Sequence, residues 1–457
     1  MAIPEYITRE LAGMGYASPT SMGAHIADWW GWFSANNEHY TQEGRSSLSA
    51  DHITIRPARL IAQEWASLLL NDKTRISVED EKANAWIEEN LGSLMVDSSE
   101  LVETAFALGT GAWALRPTGV TEGEPSHRMG FDIETYGALD MVPLSFDRYN
   151  ITECAFQSTT TIRGVQYVQL KAHVIEGGTY HIKTILFKRG ERVTDIPDGI
   201  NLDVDTRSIL PTFAAVHPAI ANTYDPYSPF GVSVFDNALG AVKLVDEAVD
   251  TMYNYLYVGK PLLFIDDSLI YKDPVTGKQT TYRKRDQQFF RKLSGIGDAK
   301  RFIEGWTPDL QITETREAVS TALQLLSVMG GFGSNYFTLD KAGGIKTATE
   351  VNADNSALFR NIAKHESLLT GSIIRLVRGA MEMCRQLRGD VIPESPIRVE
   401  FDDSIIIDTA AEKAELLAEI AAGVAQPWEY RVRFYGESLE EARENVAQQP
   451  QALDYGY

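Results

Sequence analysis

Cysteine is nearly absent from this chain, with two residues, Cys154 and Cys384, in 457. They lie far apart in sequence, so neither a disulfide framework nor a zinc spacing can be built from them. Both are expected to be buried free thiols in a reducing compartment. Histidine is scarce and scattered. His365-Glu366 has no second histidine four positions after the first, so the zinc-protease pattern is missing. No Gly-x-Ser-x-Gly elbow occurs either. The nearest thing to a phosphate loop is Gly343-Gly344-Ile345-Lys346-Thr347. It has Ile345 where a glycine must precede the lysine, and a helix and loop rather than a strand lead into it. These absences argue against an enzyme, a metal site and a bound cofactor.

Long hydrophobic runs are also missing. No stretch approaches the roughly 18 apolar residues of a membrane span. The opening MAIPEYITRE lacks the charged and apolar regions of a signal peptide. A soluble protein made in a cytoplasm, with no membrane partner, is the expectation. Positive charge is the last deficit. Lys and Arg number 42 against 63 Asp and Glu, a net charge of −21. Such a chain repels nucleic acid on average and cannot be a nonspecific DNA coat, although a negative channel wall would keep DNA from sticking.

What is present suits a packed fold. Hydrophobic residues make up 44% and charged residues 23%, which leaves enough apolar surface to bury that disorder is not expected. An aromatic knot, Trp29, Trp30, Trp32 and Phe33, comes first. Residues 53–70 read as a helix with apolar positions at Leu60, Ile61, Trp65, Leu68 and Leu69. Shorter helical patterns follow around 80–91 and 98–108. From about 111 to 215 the grammar becomes alternating and β-branched, with Gly177-Gly178 as a hairpin signal.

After the turn-rich ANTYDPYSPFG (221–231), apolar residues recur at three- and four-residue steps from Phe235 to Leu256, predicting a helix over 232–258. Residues 260–303 then form a compact module of opposite charge, with ten basic and five acidic residues. A second helix is predicted over 311–329, with Ile312, Val319, Leu323, Leu326 and Met329 on one face. The two helices must run antiparallel if the module between them is compact, making a stalk with a basic tip.

A glycine-rich break follows. Gly330, Gly331, Gly333, Gly343 and Gly344 predict mobility, and Phe332, Tyr336 and Phe337 predict aromatic tips. Lys341 and Lys346 are its cations. The longest helical pattern, 347–388, opens with a capping box, Thr347 with Glu350, and has Gly371 and Gly379 as candidate kink points. A strand, IRVEF, and two or three short helices end the chain, with capping boxes at Thr409 with Glu412 and Ser438 with Glu441. The expected class is α+β.

Three features could carry function. The basic run Arg283, Lys284 and Arg285, with Arg291, Lys292, Lys300 and Arg301, reads as a docking surface for an acidic partner or a DNA contact, against the plainer reading of a solvated face. The glycine loop is longer than a plain helix connector needs. The carboxylate pairs Asp402-Asp403 and Asp266-Asp267 could bind Mg²⁺ in a nuclease, but adjacent residues on a strand point to opposite faces.

One run is more specific than these. Tyr336-Phe337-Thr338-Leu339-Asp340 followed by Lys346-Thr347-Ala348-Thr349-Glu350-Val351 resembles the segment that opens the long channel helix in siphophage-type portal (head-to-tail connector) proteins of tailed bacteriophages. Weaker similarities lie at residues 53–70 with Ser77-Val78-Glu79-Asp80, at Phe106–Gly111, at Gly231-Val232-Ser233 with Asp246 and Gly259-Lys260, and from Phe401-Asp402-Asp403-Ser404 onward. The resemblance covers roughly residues 50–450 and carries nothing over 111–215.

It implies a portal fold. Residues 1–231 would be the N-terminal part of an α/β wing, 232–258 and 311–329 the two stem helices, and 259–310 a small α/β clip. Residues 330–346 would be a tunnel loop touching DNA in the channel, 347–389 the long kinked channel helix, 390–408 a wing strand segment, and 409–457 a short helical crown. It further implies a homo-oligomeric ring, a dodecamer in the family, at one capsid vertex of a virion and assembled in the host cytoplasm. Double-stranded DNA would pass through it. The implied partners are the terminase large subunit and then a head-completion adaptor at the clip, with scaffolding protein and major capsid protein at the wing. A Mg²⁺-dependent nuclease and a channel-less structural virion protein are the competing readings.

Overall fold

The structure, a computed structural model, describes residues 3–17, 21–40, 53–71, 73–120, 126–197, 200–258, 262–266, 290–293, 303–306, 311–339, 348–401, 409–435 and 437–447. Three helices come first, α1 (Glu5–Gly13), α2 (Gly23–Ser34) and α3 (Pro57–Leu69). Strand β1 (Arg75–Val78) leads to α4 (Glu81–Leu91), α5 (Leu94–Asp97) and α6 (Ser99–Leu108). The β-rich stretch holds β2 (Gly111–Thr118), β3 (Gly130–Gly137), β4 (Met141–Asp147), β5 (Asn150–Ile162) and β6 (Val165–Glu176). It continues with β7 (Thr179–Lys188), β8 (Glu191–Arg192), β9 (Asp203–Asp205) and β10 (Phe213–Val216). Then come α7 (Leu239–Val258), β11 (Leu262–Asp266), β12 (Phe290–Leu293), β13 (Ile303–Trp306), α8 (Ile312–Met329) and α9 (Ala348–Leu387). Strand β14 (Ile397–Glu400) and helices α10 (Thr409–Ala421), α11 (Pro427–Tyr435) and α12 (Leu439–Ala447) complete the order. The class is mixed helix and strand, as expected.

Local chemistry explains many of the boundaries. The Asp80 carboxylate accepts from the backbone N–H groups of Lys82 and Ala83, both at 3.0 Å, and so caps α4. The Ser438–Glu441 box is reciprocal: Glu441 N–H donates to Ser438 Oγ at 3.3 Å and Ser438 N–H to Glu441 Oε2 at 3.0 Å. The Thr409–Glu412 and Thr347–Glu350 boxes lie outside the described side chains. The hairpin joining β6 to β7 turns on Gly177 and Gly178, φ 60° and 94°. Both central residues are left-handed, the twist-compatible turn for two-residue hairpins. Two more such turns, Arg163-Gly164 and Arg189-Gly190, join β5 to β6 and β7 to β8. The arginine in each tolerates a positive φ that the sequence does not advertise.

Two predicted helices are shorter than the periodicity suggests, and tertiary bonds are the cause in both. Residues 53–56 are not helical, Arg56 standing in the left-handed region (φ 52°), and Pro57 opens α3 at the position where a missing N–H costs nothing. Ile53 N–H instead donates to Asp250 at 3.0 Å, and Thr54 Oγ1 donates to Asp246 at 2.8 Å. Likewise α7 begins at Leu239, not at 232. Val234 N–H donates to the Phe106 carbonyl at 2.9 Å. Just before it, Gly231 and Gly109 (φ 84°) meet backbone to backbone: a Cβ on Gly109 would sit 2.5 Å from the Gly231 carbonyl oxygen. No other residue fits either position.

Four sheets form among the described residues. In one, β2 lies between β10 and β3; another runs β4-β5-β6-β7-β8 with β9 paired to β7. β11 lies between β12 (parallel) and β13 (antiparallel). β1 pairs antiparallel with β14, Arg75 opposite Glu400. One contiguous hydrophobic cluster joins α2, α3, α6, the β2 sheet, α7, α8 and α9. A satellite core lies under α1, where Ile7 and Leu11 pack on Val142, Leu170, Ala172 and Phe187. Both cysteines are free and buried.

Candidate functional site

The stalk and the glycine break are the two places where sequence predicted function. Helices α7 and α8 pack against each other. β11, entered from α7, pairs with β13, which leads back to α8, so the helices run antiparallel with a strand module at the tip. On α8, Val319, Ala322, Leu323 and Leu326 are buried, but Ile312 and Met329 are 46% and 47% exposed. The predicted single apolar face is therefore corrected at both ends. On α7, Asp246 is fully buried and accepts from Tyr40 Oη at 2.7 Å as well as from Thr54. Burial and then the Asp246 bond push the Tyr40 phenol far above its usual range, so it stays a donor. This carboxylate ties the N-terminal segment to the stalk.

Of the predicted docking residues, Arg291 and Lys292 lie on β12, paired with Phe264 and Ile265 of β11. Arg283, Lys284, Arg285, Lys300 and Arg301 lie outside the described residues, as do Asp267, Asp402 and Asp403.

The glycine break is built differently from its prediction. Phe332 is not a tip. It is 1% exposed and stacks on Trp65 of α3, ring centroids 4.7 Å apart. Tyr336 stacks on Phe332 at 4.8 Å, and Phe337 closes the group edge-on at 5.2 Å. Hydrogen bonds fix the backbone around these rings. Trp65 Nε1 donates to the Gly330 carbonyl at 3.0 Å and Asn361 Nδ2 to the Gly331 carbonyl at 2.8 Å. Phe337 N–H donates to Ser327 Oγ at 2.9 Å. Tyr336 Oη donates to Glu64, and burial together with that carboxylate raises its pKa. Gly331 needs its positive φ of 87° and its missing Cβ, which would meet Asn361 and Trp65.

The first half of the break is thus a rigid aromatic root joining α3, α8 and α9. Gly333 (φ 95°) turns within it, whereas Lys341, Gly343, Gly344 and Lys346 lie outside the described residues. Sequence reasoning missed Trp65, Glu64, Asn361 and His365 as partners because they are distant from the loop in sequence, and Ser327 because helical spacing placed it within α8 rather than against the loop. His365 completes the cluster, 4.7 Å from Trp65 and 5.0 Å from Phe106. Its Nδ1 accepts from Ala219 N–H at 3.0 Å, which requires the neutral ring. Burial, then the nearby Lys364 charge, pushes its pKa down to about 4.

Among the described residues one group could hold a metal, Glu176, His181 and Asp203. Lys183 Nζ already lies 2.5 Å from Glu176, and His181 Nδ1 lies 3.0 Å from Asp203. Internal partners therefore satisfy these charges. No described helix is long and apolar enough to cross a membrane. No family model matches the chain, and no curated protein matches it.

Proposed function

We propose that the chain is a portal-type subunit: several copies form a ring around a DNA channel, and the strand module at the stalk tip docks a packaging motor and then a tail connector. The observation that carries this is the outer surface of the stalk. Leu244, Tyr255 and Leu256 on α7, and Leu325, Val328 and Met329 on α8, are large apolar side chains exposed to solvent. On α8, Val328 lies opposite the buried row, Leu325 to one side of it, and Met329 at its exposed end. Rows like these on a stalk are costly for a lone subunit and mark interaction surfaces. Two different faces on one subunit suit a heterologous contact that closes into a ring. The antiparallel stalk, the module at its tip, the anchored glycine loop and the 40-residue α9 follow the segment order of the resemblance. In this reading the net charge of −21 keeps DNA from adhering to the wall, and the described aromatic root holds the base of the loop that meets it.

Negative-stain electron microscopy of the purified protein, with particle mass measured alongside, tests the proposal. Rings with a central hole and about a dozen subunits are expected. A monomer that cleaves DNA in a Mg²⁺-dependent manner would replace the reading with the nuclease, and assemblies without a hole would replace it with a channel-less structural protein.

A further inference from the structure

Helix α9 carries a row of cations that the acidic composition hides. Arg360, Lys364, Arg375 and Arg378 are separated by 4, 11 and 3 residues. At roughly 100° per residue they fall within about 60° of one another around the helix and span about 27 Å. The opposite side of α9 is the buried one, formed by Leu358, Ile362, Leu369, Ile373, Leu376 and Ala380. The core therefore holds the helix in place and turns the cations outward. Arg360, Lys364 and Arg378 are exposed and Arg375 is half-buried. None of the four makes an ion pair or a side-chain hydrogen bond. Between them the same face offers Ala363, Ser367, Leu368 and Gly371, with no acidic group.

Acidic residues begin only at the ends of the row. Glu382 is held by Arg385 at 3.3 Å. Glu394 shares with Arg378 and Arg385 a cleft of about 540 Å³, and Glu366 lies on the flank. Unpaired cations in a protein with 21 excess negative charges are not needed for solubility, and three of the four are arginine, whose planar fork matches phosphate oxygens.

We propose that this face of α9 binds the phosphate backbone of duplex DNA. The inference rests on the channel reading for the identity of the polyanion. A row of about 27 Å along one helix face, with small side chains between most of its charges, fits the regular spacing of a phosphate backbone. An acidic protein surface would bring side chains that need matched positions.

The test is fluorescence anisotropy of the full chain with a labelled duplex of about 30 base pairs, titrated at several salt concentrations. Four phosphate contacts predict a log–log salt slope steeper than about −3, and roughly a hundredfold weakening between about 50 and 200 mM salt. The quadruple variant R360Q/K364Q/R375Q/R378Q is expected to lose at least tenfold in affinity and most of that slope. The triple variant R360K/R375K/R378K is expected to keep the slope. Circular dichroism checks that the variants are folded, and single variants such as R378Q, each lowering the slope by about one, serve if the quadruple variant is not.

No DNA binding by the wild type, or unchanged affinity and slope in the quadruple variant, overturns the proposal. Altered particle mass with unchanged DNA affinity would instead assign the face to an acidic protein neighbour, and overturns it too. Particle mass reads the channel reading separately. Rings whose DNA binding ignores these cations defeat only this inference, and a ringless protein that loses DNA with them defeats only the channel.

Discussion

Replacing Phe332 by alanine separates the two pictures of the glycine break most sharply. If Phe332 were a mobile tip, its loss would leave stability within about 0.5 kcal/mol of wild type. In the structure it is 1% exposed, stacked on Trp65 and flanked by Tyr336 and Phe337. Emptying that space removes a full aromatic transfer term and leaves a cavity, together roughly 3–5 kcal/mol. The aromatic pairing adds about 0.5–1.5 kcal/mol to what area alone would give. Tyr336→Phe is the graded companion. It keeps the ring and loses only the hydroxyl bond to Glu64. Half-burial puts its cost near 1 kcal/mol, below the range for bonds to fully buried charges. Urea unfolding followed by tryptophan fluorescence reads both, since Trp65 lies against the altered ring. A loss under about 1 kcal/mol for Phe332→Ala, or an equal loss for both variants, would refute the aromatic root.

The same substitution should have opposite signs at two positions of α9. Gly371→Ala meets nothing within 4 Å and is expected to stabilise by about 0.5–1 kcal/mol, whereas a Cβ at Gly379 would run into the Pro211 carbonyl and cost roughly 1–3 kcal/mol; melting temperatures of the two variants decide. His365 titrates near 4 when folded against an ordinary value of 6.5. The unfolded chain therefore binds the proton first, and stability should fall by roughly 3 kcal/mol as pH drops from about 6.5 to 4. His365→Asn should flatten part of that slope, and identical pH profiles would contradict the assignment. Lys171, 4% exposed, holds Glu134 at 2.5 Å. Lys171→Met should cost roughly 2 kcal/mol, and adding Glu134→Leu should recover part of it, as denaturation midpoints would show.

Sequence alone fixed those features whose physics is local. Helical periodicity located α6, α8 and α9 to within a residue or two, because apolar spacing reports the buried face directly. Gly177-Gly178 marked a hairpin because a two-residue turn needs left-handed residues, and Ser438 with Glu441 marked a helix start because the box is closed within one turn. The charge reversal in 260–303 was likewise readable from the chain. The tertiary structure decided everything that depends on distant partners. Nothing in Phe332 itself distinguishes a tip from a core ring; Trp65, 267 positions earlier, makes it core. That Gly379 has no room for a side chain shows only when Pro211 is placed against it. Residues 232–235 have helical spacing, yet Gly109 and Phe106 hold them in another path. The cations of α9 become a row only when the core shows which way the helix faces. Periodicity encodes which residues share a face, but what that face meets is set by the packing of segments far apart in the chain.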